Sequence, residues 1–407
     1  MRRVVVTGVG ALSPLGATFS ATWQGLKEGK RGVRILPEWS DIAGVRTKLA
    51  APVAPFELPE NYSRKKLRSM SRAGIMAVRA SEMALEDAGL LGHQVLSSGS
   101  CGVAYGSCLA GSDMMLDIAE RCLRKDARGM QASAFTQAMS HSCAANISIF
   151  FGTTGRIIPT SSACTSASQG IGYAVESIRS GAQTVMIAGG AEEISTALLF
   201  LFDSMYATSP ADGESATAPR PFDAHRDGLV IGEGACTLIV EELAFAQARG
   251  ARILAEVVGF GTNSDGAHIT APTSGTMSAA IRLGLRDAGI EPQQVGFVHA
   301  HATGTTLGDA AEAAAMRDVF AGPVPVGALK SYSGHTLGAC GALEAAITIQ
   351  MMREELFVPI ASLIEASPEC AHLDLIRGAA RTISCEFAMS NNFAFGGVNT
   401  SLVFKRL

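Results

Sequence analysis

Residues 159–174 read Pro159-Thr160-Ser161-Ser162-Ala163-Cys164-Thr165-Ser166-Ala167-Ser168-Gln169-Gly170-Ile171-Gly172-Tyr173-Ala174. Upstream, Arg156-Ile157-Ile158 reads as a short strand. Downstream, Ala167, Ile171, Ala174, Val175 and Ile178 recur at helical spacing. Cys164 therefore falls at a strand-to-helix turn made of small residues, which permit a sharp bend and close approach by a substrate. A thiol at a helix N-terminus feels unpaired N–H groups and the positive end of the dipole, and both favour the thiolate. The same N–H groups can stabilise an oxyanion on a carbonyl attacked by the sulfur. Taken alone, the pattern also fits a small core cysteine, since free Cys is among the most buried residues. The rest of the chain decides between the two.

The 407 residues are enough for two domains or one duplicated unit. A chain 47% hydrophobic, 17% charged and carrying 44 glycines suits an α/β core with both sheet faces covered. A net charge of −4 argues against a nucleic-acid partner. No apolar run approaches a membrane span, and Met1-Arg2-Arg3-Val4-Val5-Val6-Thr7-Gly8 reads as an opening strand rather than a signal peptide. The nine cysteines form no CxxC pair, so neither a zinc site nor a redox motif is indicated, and a reduced, cytoplasmic protein is expected.

Outward from Cys164, strands are expected at 4–8, 101–107, 184–190 and 236–241, with helices at 19–27 and 76–88. Residues 30–60 carry four prolines and look irregular. The run Ser63-Arg64-Lys65-Lys66-Leu67-Arg68, followed by Arg72, is the densest basic cluster. It reads either as a solvated helix face or as a dock for an acidic partner. A second set of strands is expected at 254–258, 295–300, 324–329 and 400–404, with helices at 277–288, 309–319 and 337–352. The repeated βαβαβ alternation points to a duplicated α/β unit. The expected division is residues 1–247, carrying the cysteine, and 248–407.

Two histidines fall in glycine-flanked loops at strand ends, His301 in His299-Ala300-His301-Ala302-Thr303-Gly304-Thr305 and His335 in Lys330-Ser331-Tyr332-Ser333-Gly334-His335-Thr336-Leu337-Gly338. Open α/β sheets bind ligands at the carboxyl ends of their strands. Lys330 and Glu344 are placed to fix the loop and tune the imidazoles. A protease-like Cys-His pair needs one histidine. A second asks for a second carbonyl to polarise, which suits carbon–carbon condensation of two acyl units.

These motifs resemble the β-ketoacyl-acyl-carrier-protein synthases of the thiolase superfamily, most closely the elongating type II enzymes. The likeness covers essentially the whole chain. It rests on Val5-Val6-Thr7-Gly8, Ala163-Cys164-Thr165-Ser166, Arg220-Pro221-Phe222-Asp223 with Arg226-Asp227-Gly228, the two histidine loops, and Ser390-Asn391-Asn392-Phe393-Ala394-Phe395-Gly396-Gly397. The resemblance implies a five-layered αβαβα thiolase-like fold and a dimer, either of identical chains or with a chain-length-factor-like subunit. It implies an acyl chain held on Cys164 and condensed with malonyl-acyl carrier protein, with His301 and His335 polarising the malonyl thioester and Lys330 and Glu344 in support. The N–H groups of Cys164 and Phe395 would form the oxyanion hole, and Phe395 would gate. Thr270, Thr303 and Thr305 would meet the pantetheine, Leu109 the acyl pocket, and Lys65 and Arg68 the carrier protein. No cofactor or metal is implied, since phosphopantetheine arrives on the carrier.

The chain departs from the family pattern at Ala302 and Ala394, where glycine is usual, at Thr306, at His299, and at polar Ser112 and Asp113 beside Leu109. A Cβ at residue 394 is expected to restrict a backbone free to take positive φ. These departures touch the substrate more than the chemistry, and they keep a specialised polyketide or aryl-polyene heterodimer beside fatty-acid elongation. A thiolase would need a second catalytic cysteine, and Cys385 lacks the glycine turn for it. A non-catalytic chain-length partner would lack Cys164.

Overall fold

The computed structural model describes residues 1–212 and 217–407. Apolar runs with no polar face must be covered on both sides, and here they are. The opening strand β1 (Val4–Leu12) is buried at every position. It is followed by β2 (Cys101–Gly106), β3 (Ile157–Thr160), β4 (Val185–Glu192) and β5 (Gly234–Glu242). The second half supplies β6 (Ala255–Ser264), β7 (Val295–His299), β8 (Pro325–Gly327), β9 (Phe387–Phe393) and β10 (Val398–Lys405).

The two sets repeat one topology. In the first, the spatial order is β3-β2-β4-β5-β1, with β2 parallel to β3 and β4, and β5 antiparallel to both β4 and β1. In the second it is β8-β7-β9-β10-β6 with the same pattern of directions. A short ladder, Val5 opposite Glu256 and Val6 opposite Ala255, joins the sheets of the two halves edge to edge.

The helices that matter are α1 (Arg72–Asp87), α2 (Ser112–Arg124), α3 (Ser142–Phe151), α4 (Ser166–Arg179), α5 (Thr196–Ser204), α6 (Ser274–Ala288), α7 (Thr306–Val319) and α8 (Cys340–Glu354). α1 and α3 cover the outer face of the first sheet, and α6 covers that of the second with α7 packed beside it. α4 and α8 lie between the sheets and touch both. Nearly all of α8 is buried, which explains why its sequence shows no polar face. Glycine allows the close contacts: a Cβ on Gly172 of α4 would sit 2.3 Å from the Phe260 ring of β6. No helix among the described residues is long and apolar enough to cross a membrane.

Two readings of the sequence change. Residues 30–60 are not wholly irregular: Arg34–Ile35 and Leu49–Ala51 pair as strands, and Pro37–Ser40 forms one helical turn that buries Trp39. Arg72 is no free docking cation. Its guanidinium grips Glu233 at 2.5 and 2.9 Å.

Candidate functional site

The strands β2, β3, β7, β8 and β9 all end toward one region, and the loops leaving them carry the side chains singled out above. Cys164 lies in a single turn, Ala163–Thr165, just ahead of α4. Ala163 adopts φ +50°, a conformation that costs an L-residue about 1–3 kcal/mol. Local hydroxyls hold the turn: Thr165 Oγ1 donates to the Ser162 carbonyl and Ser166 Oγ to that of Ala163, each at 2.7 Å.

His335 brings Nε2 to 3.0 Å from Cys164 Sγ. Its ring stands edge-on to that of His301, with centroids 5.2 Å apart. Lys330 explains the state of His301. Its ammonium lies 3.1 Å from Nδ1, 2.6 Å from the His301 carbonyl and 2.5 Å from Glu344 Oε1. Burial works against the lysine's charge, but Glu344 outweighs it and the pKa is raised. An ammonium has only donors, so Nδ1 must accept, and the neutral ring carries its proton on Nε2. Asn392 Nδ2 completes the network at 2.6 Å from the other Glu344 oxygen. Burial first, then Lys330, holds both imidazoles well below their usual pKa.

The thiol departs from expectation. The helix N-terminus led us to expect a stabilised thiolate, but burial pushes Cys164 up to about 12, over the opposing pull of Lys330 and of the Phe395 and Cys164 N–H groups. Desolvation of a small anion exceeds what two N–H dipoles return. The resting pair is therefore a neutral thiol against a neutral imidazole, with the proton free to pass to His335 Nε2 as the sulfur attacks. The two N–H groups that act on the sulfur are those expected to form the oxyanion hole.

The other predicted residues fall into place unevenly. Thr270, Thr303, Thr305 and Phe395 line a cavity of about 510 Å³ that also reaches Cys164, His301 and His335. Phe395 stacks on Phe202 of α5, 6.0 Å between centroids. Leu109 does not line that cavity. It joins the apolar cluster beyond it, with Leu198, Phe202 and Leu337. Lys65 and Arg68 are exposed on and just after the short helix Arg64–Leu67, away from the cavity. Ala394 does not take positive φ. The left-handed positions of its loop are Gly396 and Gly397, at +88° and +73°. The strain expected there is found instead at Ala302, φ +34°. His299 is structural: its Nε2 accepts the Leu329 N–H at 3.1 Å and its Nδ1 faces Thr348 Oγ1 at 2.9 Å.

Sequence reading missed two buried carboxylates. Glu312 accepts the N–H groups of His301 and Ala302 at 2.8 and 2.7 Å, and burial pushes it up to about 8. Glu192, at the end of β4, binds the loop after β2. Neither stands in a motif that marks it, and a glutamate on a helix or at a strand end carries no sign of its burial. Asn392 was within reach, inside the Ser390–Gly397 motif.

Cys164, His301 and His335 bring donor atoms within 4.8 Å of one another. Lys330 places a proton rather than a lone pair on His301 Nε2, so the set is arranged to donate to a carbonyl more than to ligate a metal.

Comparison with known proteins gives a consistent result. Residues 1–246 match the family described as beta-ketoacyl synthase, N-terminal domain, and residues 254–363 its C-terminal domain. A 3-oxoacyl-(acyl-carrier-protein) synthase 2 of Vibrio cholerae is 37% identical over 100% of this chain and 99% of its own length. The crystal structure of a beta-ketoacyl synthase from Burkholderia phymatum STM815 is 50% identical, with a TM-score of 0.98 and full coverage of both chains. The ishigamide ketosynthase/chain length factor is 31% identical, with a TM-score of 0.91 over 100% of this chain and 99% of that one.

Proposed function

The chain belongs to the β-ketoacyl synthase family, and from that premise we propose how its residues condense an acyl thioester with malonyl-acyl carrier protein in fatty-acid or polyketide elongation. Cys164 Sγ attacks the acyl thioester on the carrier's phosphopantetheine arm while His335 Nε2 takes the thiol proton. The carbon–sulfur bond to pantetheine breaks, and its thiolate leaves with that proton. Malonyl-carrier protein then enters the same cavity. His301 Nε2–H, with His335 beside it, donates to the malonyl thioester carbonyl, the carboxylate leaves as carbon dioxide, and its electron pair forms an enolate. The enolate carbon attacks the Cys164 thioester. The N–H groups of Cys164 and Phe395 hold the oxyanion until the sulfur departs and the β-ketoacyl chain is left on the carrier. Thr303 and Thr305 would meet the arm along its length, and Thr270 at the mouth.

The observation that carries this reading is the trio itself: a thiol 3.0 Å from one imidazole, with a second imidazole fixed as an Nε2–H donor by a buried ammonium. A thiolase would need a second cysteine in the cavity as base; Cys340 lies beside Cys164, but its Sγ is turned to the Cys164 carbonyl at 3.3 Å and does not line the cavity. Cys385 precedes β9, whereas the site follows it, a separation of about 20 Å along a seven-residue strand. A chain-length-factor-like partner or a second copy of the chain suits the uncovered apolar face of α2 and its neighbours. Leu123, Phe135 and Ile149 are 86%, 72% and 78% exposed there. We assign the halves to residues 1–247 and 248–407, and carrier docking to Lys65 and Arg68.

The test is intact-mass analysis after mixing with acyl-carrier proteins of several chain types, together with a Cys164→Ala variant. An adduct on Cys164, with condensation lost and decarboxylation kept in the variant, supports the reading. Unchanged condensation in Cys164→Ala sinks it. The acyl types accepted, alone or only with a chain-length-factor-like partner, separate fatty-acid from polyketide elongation.

A further inference from the structure

β4 ends on Glu192, whose side chain is completely buried. It is held by four donors: Ser107 Oγ at 3.1 Å, Cys108 N at 2.7 Å, Leu109 N at 3.0 Å and Gly338 N at 3.1 Å. No cation pairs with it among the described residues. Three of the donors sit on the loop after β2 that presents Leu109. The fourth belongs to the other half of the molecule, on the loop that presents His335. One carboxylate oxygen, Oε2, receives both Cys108 N–H and Gly338 N–H and so joins the loops directly.

The packing leaves no slack at this junction. A Cβ on Gly338 would lie 2.6 Å from Cys108 N and 2.8 Å from the Glu192 carboxylate. A Cβ on Gly190 of β4 would lie 2.2 Å from the Gly338 carbonyl. Leu337, between His335 and Gly338, is held at φ +44° and packs in the same apolar cluster as Leu109. Neither loop can shift without moving the carboxylate on which the other depends.

We infer that Glu192 is a positioning residue that couples the apolar wall at Leu109 to the loop bearing His335. The inference rests on the proposed condensation, and it states how the acyl site and the decarboxylation site are kept in register. Leu109 lies in the apolar cluster beyond the cavity, where the family resemblance places the acyl chain, and a chain reaching that cluster would bear on the same carboxylate that sets the height of Gly338, and through it the imidazole beside Cys164. Glutamine fills the same volume but turns an N–H donor toward at least one of these N–H groups. Its single oxygen can serve the Cys108–Gly338 pair or the Leu109 N–H but not both, so one side of the junction loses its acceptor.

The test uses the full-length enzyme and measures two half-reactions separately: acylation of Cys164 by octanoyl-carrier protein, and carbon dioxide release from malonyl-carrier protein by unacylated enzyme. In Glu192→Gln both are expected to fall about tenfold or more together. The decarboxylation loss should appear in kcat with KM for malonyl-carrier protein within twofold, because the arm and docking contacts are elsewhere. Leu109→Ala keeps the backbone N–H contact to Glu192, so it is expected to lower acylation several-fold more than decarboxylation. Should Glu192→Gln not fold, Ser107→Ala removes one donor and keeps the carboxylate, and a parallel loss of a few-fold in both steps is expected. Loss of acylation alone, loss of neither, or a rise in KM without a fall in kcat overturns the coupling. Absence of both half-reactions in the unaltered protein would instead count against the condensation reading.

Discussion

An ammonium group can only donate, so the position of Lys330 against His301 Nδ1 fixes which imidazole nitrogen faces substrate as a donor. Lys330→Met should therefore reduce malonyl decarboxylation by about 10²–10³-fold, the usual cost of one oxyanion donor. It also leaves Glu344 buried without its partner, a loss of about 3–5 kcal/mol. Adding Glu344→Gln should restore thermal stability but not carbon dioxide release. Recovery of both together would show that the lysine serves stability alone. The pKa directions make a second expectation. Burial and Lys330 hold both imidazoles well below 6.5, so they stay neutral as pH falls, and decarboxylation should be level between about pH 8 and 6. The thiol, pushed up to about 12, gains thiolate roughly tenfold per pH unit, so its alkylation by iodoacetamide should still be climbing at pH 9–10. A plateau near pH 8 would mean that the helix terminus wins after all. The three reacting residues could be picked from the sequence because each sits in a loop of small residues at a strand end. Their protonation could not, because it depends on neighbours distant in the chain, such as Lys330 and Phe395 for Cys164.

At the scale of elements, each reacting residue lies within two positions of an L-residue in the left-handed region: Ala163 before Cys164, Ala302 after His301 and Leu337 beyond His335. The loops are bent more tightly than their residues prefer, and side-chain clamps such as Glu312 hold them there. Ala302→Gly removes about 1–2 kcal/mol of backbone strain and adds about 0.5–1 kcal/mol of chain entropy, so the variant should be at least as stable as the parent in thermal unfolding. Ala394→Gly has no strain to relieve and should lose about 0.5–1 kcal/mol. Equal effects at the two positions would show that the assignment of strain to Ala302 is wrong. The sequence pointed to both alanines as departures from glycine, and it pointed to Ala394 as the restrictive one. Dihedral angles belong to the folded loop, and two glycines that follow Ala394 take up the turn in its place.

Across the whole molecule, the loops that follow β3 and β8 converge on the buried helices α4 and α8, so one half supplies the nucleophile and the other the imidazoles. The remaining surfaces follow from what one chain leaves uncovered. Replacing Leu123 and Phe135 with glutamate should shift the protein toward monomer in light scattering, since both are large exposed apolar side chains on adjoining helices. Lys65→Glu with Arg68→Glu should raise KM for carrier protein about tenfold at low salt, and less at high salt, with kcat little changed. By itself the sequence determined the alternation of strands and helices, their duplication, and the positions of Cys164, His301 and His335. Those are local properties: periodicity, turn residues and small-residue loops are written within about fifteen residues of each site. The tertiary structure alone decided that the thiol rests neutral, that Arg72 is spent on Glu233, that His299 is a structural group, and that Glu192 and Glu312 brace the site. Each of those depends on desolvation and on partners brought together by folding, and neither quantity exists until the chain has closed on itself.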